Sequence, residues 1–185
     1  MRLFVAIELS GEMKKELAVV SKALRERATG GKFVSPENMH ITLHYIGETE
    51  ETDKIASVLR EVSRGRTPFE ISLGKYGYFE KTASGNHRVS LVTVGGDMAA
   101  LDSLRAGLLK ALTEAGYPGD GKPFMPHITL GRNVGVDELA AFELEGMRPD
   151  KSQTVTGVTL FESTRRDGKL VYIPIHRESF LNARG

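Results

Sequence analysis

Two stretches of this chain carry the same tetrapeptide, MHITLHY at Met39–Tyr45 and PHITLGR at Pro126–Arg132. Each follows a turn-forming run, Ser35-Pro36-Glu37-Asn38 before the first and GYPGDGKPFMP before the second. Two of the five histidines open the shared tetrapeptide, each at the start of an apolar run that reads as a strand. Side chains alternate faces along a strand, so His40 and Thr42 share one face while Ile41 and Leu43 take the other. The same parity pairs His127 with Thr129, and Ile128 with Leu130. Each copy therefore sets an imidazole and a hydroxyl side by side, roughly 7 Å apart at the backbone, over an apolar floor. If the two strands face each other across a cleft, the site holds two imidazoles and two hydroxyls.

That set can bind a phosphate without metal. Threonine hydroxyls donate to its non-bridging oxygens, and histidines exchange protons with the attacking and leaving oxygens. An unperturbed imidazole pKa of about 6.5 allows one ring to be neutral and the other protonated near neutral pH. With no cysteine, a thiol nucleophile, disulfides and thiolate metal sites are excluded, and a reducing cytoplasm fits. No Gly-x-Ser-x-Gly elbow occurs, and neither a P-loop nor the Asp/His clusters of a metal phosphodiesterase are present. A strand-start histidine can also be purely structural; it is the duplication in matching contexts that points to chemistry.

The remaining elements follow from periodicity. Arg2 to Leu9 reads as a strand, and Ser10 caps a helix over Glu12 to Arg27 with Met13, Leu17, Val20 and Leu24 on one side. Phe33 and Val34 form a short strand, and His40 to Ile46 a longer one. A helix covers Glu51 to Arg64, and strands cover Phe69 to Leu73 and Val89 to Val94, with a turn at Ala83-Ser84-Gly85-Asn86 between them. Leu101, Leu104, Leu108 and Leu112 mark a helix over Asp97 to Ala115 that Gly116 ends. A strand at His127 to Leu130, a short helix at Asp137 to Glu145 and strands at Gln153 to Phe161 and Leu170 to Ile175 complete the chain. Strands adjacent in sequence favour antiparallel pairing, so the fold class is α+β. The 185 residues suit one domain, with no low-complexity linker to divide them.

The net charge of +1 argues against a large platform tracking nucleic-acid backbone. It leaves room for a small site that holds one phosphate and a nucleotide or two. The opening MRLFVAIELSGEMKKE reaches charged sequence too early for a signal-peptide core or a membrane span, so a cytoplasmic protein with no membrane partner is expected.

MRLFVAIEL, PENMHITLHYIGE and KPFMPHITLGR together resemble the RNA 2′,3′-cyclic phosphodiesterases, also called 2′-5′ RNA ligases, of the two-histidine phosphoesterase superfamily. The resemblance runs from Met1 to the region of Ile175, with the two HxTx segments as its specific part. It implies a two-lobed fold of mainly antiparallel sheets with pseudo-twofold symmetry, flanked by helices, with the active site in the cleft between lobes. It also implies cofactor-free, metal-independent opening of a terminal RNA 2′,3′-cyclic phosphate to a 2′-phosphate. His40 would be the proton donor to the 3′ oxygen and His127 the base that activates water, with Thr42 and Thr129 holding the phosphate. That order of roles comes from the family alone. The expected partners are RNA 3′ ends bearing a cyclic phosphate, including tRNA fragments or small nucleotides, met by a monomer. The hairpin at Arg165 to Lys169 is short and charged, unlike the family's usual tail.

Other residues divide between roles. The family often places an arginine near the phosphate at the position of Arg132, but strict alternation points this residue away from His127. A phosphate role for Arg132 therefore requires a twist or bulge at Gly131; otherwise it is a strand-end surface charge. His44 shares the parity of His40 and is expected as a solvent-exposed polar residue. His87 and His176 lie outside the repeat and read as surface or structural. Phe4, Tyr45, Tyr78 and Phe124 could stack a base but are expected in the core. Three rivals remain open: joining a 5′-hydroxyl to the cyclic phosphate, action on 2′-5′ linked or small cyclic nucleotides, and RNA-end binding without catalysis.

Overall fold

The computed structural model describes residues 1–80 and 87–180. β1 (Arg2–Glu8) leads to Ser10, whose hydroxyl accepts from the Met13 amide at 3.2 Å and caps α1 (Gly11–Arg27). A two-residue strand, β2 (Lys32–Phe33), and a 3₁₀ turn at Pro36–Asn38 lead into β3 (His40–Glu48), and α2 (Thr52–Ser63) follows. β4 (Phe69–Glu80) and β5 (His87–Gly96) outrun the expected lengths, and the turn expected at Ala83-Ser84-Gly85-Asn86 lies outside the described residues. Asp97 and Asp137 sit just ahead of α3 (Met98–Glu114) and α4 (Glu138–Glu145), where their carboxylates accept from Ala100 and Ala140 amides. Gly116, at φ +100°, closes α3 in the left-handed region that a side chain would resist. Between α3 and α4 runs β6 (His127–Gly135), and β7 (Ser152–Val155), β8 (Gly157–Arg166) and β9 (Lys169–Ser179) end the fold. No helix among the described residues is long and apolar enough to cross a membrane.

The described strands form one antiparallel sheet in the order β7-β4-β5-β6-β3-β1-β8-β9, with β2 paired to β6. This order is symmetric about the β3–β6 junction. On one side β6-β5-β4-β7 answers β3-β1-β8-β9 on the other, and β5-α3-β6 repeats β1-α1-β3. The two lobes are thus halves of a single α+β sheet, and the two HITL strands are its central neighbours.

The run from Gln153 to Phe161, read above as one strand, is two. β7 pairs with β4 at one end of the sheet, while β8 pairs with β1 in the other half. The chain turns at Thr156-Gly157, where a Cβ on Gly157 would stand 2.2 Å from the Glu178 carbonyl oxygen. Only glycine lets β8 and β9 approach there. Pro174 is tolerated in β9 because that strand is an edge.

One face of the sheet is sealed by the helices. The α3 leucines 101, 104, 108 and 112 are fully buried against residues such as Ile41, Ile128 and Leu130. Each such burial stabilises by about 1.5–3 kcal/mol relative to exposure. On the opposite face a smaller cluster of Phe4, Ala6 and Phe161, joined by Tyr172, forms a floor near His40.

Candidate active site

The junction of the two halves is set by one residue pair, Ile41 opposite Ile128, both fully buried on the helix side. In an antiparallel pair the flanking residues then meet in register on the other face. His40 is set beside Thr129 and Thr42 beside His127, so all four groups share one small area of sheet. Ile41 and Ile128 are the apolar floor that strand parity predicts.

Each histidine is oriented by the turn before it. His40 Nδ1 lies 2.7 Å from the Asn38 carbonyl oxygen, and His127 Nδ1 lies 2.7 Å from that of Met125. A carbonyl only accepts, so both Nδ1 atoms carry the proton and both rings titrate at Nε2. His40 Nε2 sits 2.8 Å from Thr42 Oγ1, which donates to the neutral ring or accepts from the protonated one. Aromatic neighbours hold the rings: Phe4 and Tyr172 lie 5.0 and 5.1 Å from His40, and Phe79 meets His127 edge-on at 5.1 Å.

Arg132 reaches the same face because β6 bulges. Thr129 pairs with Leu91 and Gly131 with Ser90, leaving Leu130 as the extra residue. Leu130 and Gly131 are consecutively buried, and Arg132 turns outward with the parity of the histidine reset. The irregularity that a phosphate role requires is therefore present. β3 bulges in the same place: Thr42 pairs with Ala6 and His44 with Val5, leaving Leu43 extra. Tyr45, 60% exposed, thus occupies in one half the place of Arg132 in the other.

That bulge also corrects the expectation for His44, which is 2% exposed and not a surface residue. The reset parity turns it inward, where its Nε2–H donates to the Tyr117 carbonyl at 2.9 Å. His44 ties the Gly/Pro loop that precedes the second motif to the strand of the first. Phe4 is buried beneath His40 as expected, and Tyr78 carries the Arg88 guanidinium 3.9 Å above its ring. His176 has a structural partner, Glu178, at 2.9 Å.

Burial pushes the pKa of His40 below its ordinary value, with the positive charges of Arg132 and His127 adding to it and the Asn38 carbonyl opposing. Burial lowers His127 as well, with Arg132 adding and the Met125 carbonyl opposing. Burial also lowers His44, against the Tyr117 carbonyl. Below about pH 6.5 the unfolded chain therefore takes up protons that these three folded imidazoles resist. Stability is expected to be level above pH 7 and to fall from pH 6.5 towards 5. Thermal unfolding at pH 7.5, 6.5 and 5.5 checks this, and His44→Gln should lessen the fall. A Tm that holds or rises as the pH drops contradicts it.

Two grooves meet at the histidines, with Tyr45 in the wall of both. One, of about 560 Å³, runs past Thr42 and His127 between Phe79, Phe124, Met125 and the loop around Pro118–Pro123. The other, of about 710 Å³, runs from His40 past Arg132 and Tyr172 to Arg2 and Arg165. Phe79 and Tyr172 were not singled out from the sequence; they arrive from strands distant in the chain. Among the described residues no three His, Asp or Glu side chains gather as a metal site would need.

The mirrored sheet is the fold of E. coli LigT in its apo form, with a TM-score of 0.76 at 27% identity, and here each central strand carries one His-x-Thr motif. The chain belongs to the 2′-5′ RNA ligase superfamily, whose family model matches residues 13–167. An RNA 2′,3′-cyclic phosphodiesterase of Thermotoga maritima is 36% identical over 134 residues, covering 71% of this chain and 70% of the relative. One of Escherichia coli is 29% identical over 178 residues, covering 95% and 94%. The crystal structure of E. coli LigT complexed with 3′-AMP superposes with a TM-score of 0.77 at 27% identity, covering 96% of this chain and 97% of LigT.

Proposed function

We propose that this chain hydrolyses a 2′,3′-cyclic phosphate at an RNA 3′ end to a 2′-phosphate, without a metal or cofactor. The observation that carries the reading is the paired orientation of the two imidazoles: each Nδ1 is held by a backbone carbonyl, so each ring exchanges its proton at Nε2 on the shared face, that of His40 beside the Thr42 hydroxyl. The names of the relatives support a cyclic phosphodiesterase activity. His127 takes a proton from water as its oxygen bonds to phosphorus. His40 gives its Nε2 proton to the departing 3′ oxygen as the P–O3′ bond breaks. The phosphate stays on the 2′ oxygen. Thr42, Thr129 and the guanidinium of Arg132 stabilise the charge that builds on the non-bridging oxygens. The order of roles follows the family. The protein acts as a monomer in the cytoplasm, and its substrates are RNA ends, including tRNA fragments and small nucleotides.

The test is turnover of a short oligonucleotide ending in a 2′,3′-cyclic phosphate, in EDTA, with the product identified. A 2′-phosphate is expected, and no loss with chelator. The pH profile should be bell-shaped, since one imidazole must be neutral and the other protonated. Both pKa values are lowered in the free enzyme, so the kcat/KM bell should be centred below about pH 6.5. The kcat bell should lie higher, because a bound phosphate anion favours imidazolium. A single sigmoid, or inactivation by EDTA, would sink the mechanism. A 2′-5′ linked product formed with a 5′-hydroxyl RNA, in place of the 2′-phosphate, would reassign the reaction to joining.

A further inference from the structure

The two grooves that meet at the histidines differ in chemistry, and the reaction tells them apart. In an in-line displacement the entering and leaving oxygens stand on opposite sides of phosphorus. The leaving 3′ oxygen and the retained 2′ oxygen both belong to the terminal ribose. In the mechanism proposed above His40 gives its proton to the 3′ oxygen, which sets the terminal ribose, and the chain 5′ to it, on the His40 side. His40 lines the larger groove. Among the described residues three arginines, Arg2, Arg132 and Arg165, line that groove and no carboxylate does. Arg2 and Arg165 are exposed and form no ion pair among the described residues; Arg165 Nη1 donates only to the Gly168 carbonyl of its own hairpin. The other groove, beside His127, is walled by Phe79, Phe124, Met125 and prolines and includes Asp120.

We propose that the arginine groove is a strand-binding subsite for RNA. Arg2 and Arg165, with the hydroxyls of Ser163 and Thr164, hold the phosphodiesters on the 5′ side of the terminal cyclic phosphate. Tyr45 offers an exposed ring to a base at the mouth. Arg2 comes from the start of β1 and Arg165 from the end of β8, outside both HxTx motifs. The short, charged hairpin is thereby a substrate-reading element. The overall charge balance is no obstacle, because the track spans only two or three phosphates. This inference rests on the cyclic phosphodiesterase reading and deepens it: the preferred substrate is an oligonucleotide end, not a mononucleotide.

The experiment compares a mononucleoside 2′,3′-cyclic phosphate with a trinucleotide ending in the same group, measuring kcat and KM from 50 to 300 mM salt (roughly the range over which phosphate contacts weaken). The trinucleotide should show the lower KM. Two contacts at about 0.7 each should steepen its dependence of log KM on log salt by about 1.4. In the Arg2→Ala/Arg165→Ala double variant the trinucleotide KM should rise about tenfold or more and the extra salt slope should vanish. Its kcat, and both constants for the mononucleotide, should stay at wild-type values. Arg165→Lys alone should retain most of the trinucleotide affinity. Equal KM for the two substrates in wild type, or a double variant that weakens both alike, overturns the subsite while leaving the activity intact. Turnover of neither substrate overturns the activity and the subsite with it.

Discussion

Replacing either His40 or His127 with alanine is expected to lower kcat on a cyclic-phosphate-terminated oligonucleotide by at least about a hundredfold, the usual contribution of a general acid or base. KM should change little, because the proposed phosphate ligands Thr42, Thr129 and Arg132 are left in place. Each variant loses one Nε2 that its turn had aimed at the shared face. The double variant should be scarcely slower than either single one, since acid and base act on the same displacement. His127→Asn is the sharper probe. Asparagine can keep a hydrogen bond to the Met125 carbonyl but cannot take a proton near neutral pH, so it should be as slow as alanine. A folded His127→Asn enzyme with a tenth of wild-type kcat would show that the imidazole only positions. Single-turnover rates, with a melting curve to confirm folding, decide between the two.

The second large effect is on stability. Ile128→Ala should cost about 2–5 kcal/mol, as truncations of fully buried isoleucines do. At roughly 2–4 °C per kcal/mol for a chain of this size, Tm should fall by about 4–20 °C. Ile128 has no exposed surface and faces Ile41 at the pair that registers the two halves of the sheet. Its truncation opens a cavity beneath the two motifs and among the leucines of α3. The folded variant should still turn over substrate, because backbone hydrogen bonds and turns, not the isoleucine, aim the imidazoles. Tyr45→Ala, at an exposed position, is the control and should shift stability by no more than about 0.5 kcal/mol. A fall in Tm of less than about 3 °C for Ile128→Ala would mean that the junction is held elsewhere.

The site is symmetric in its motifs and asymmetric in its surroundings. His40 lies in a box of Phe4, Phe161 and Tyr172, whereas His127 meets the edge of Phe79. Tyr45 and Arg132 occupy matching places after matching bulges, yet one is an aromatic ring and the other a cation. A mirrored scaffold thus gives its two histidines different surroundings, which suits the distinct acid and base of the proposed hydrolysis.

Local rules made much of this legible from the chain. The parity that puts His40 with Thr42, and His127 with Thr129, is a property of any strand, and the buried Ile41, Leu43, Ile128 and Leu130 follow it. Ser10 as a cap, the leucine stripe of α3 and its end at Gly116 are equally local, fixed by hydrogen bonds and backbone angles within a few residues. What escaped depends on partners far away in sequence. A bulge exists only relative to the strand beside it, so the extra residues Leu43 and Leu130 could not be seen without β1 and β5. From those two bulges follow the burial of His44 and the turning of Arg132 onto the face of the histidines. The break at Gly157 arises from the approach of Glu178, and the arginine groove from the ends of β1 and β8 meeting beside His40. Sequence determined which groups could do the chemistry, because side-chain type and strand period are local. Tertiary pairing decided which of them meet, because register is a property of two strands and not of one.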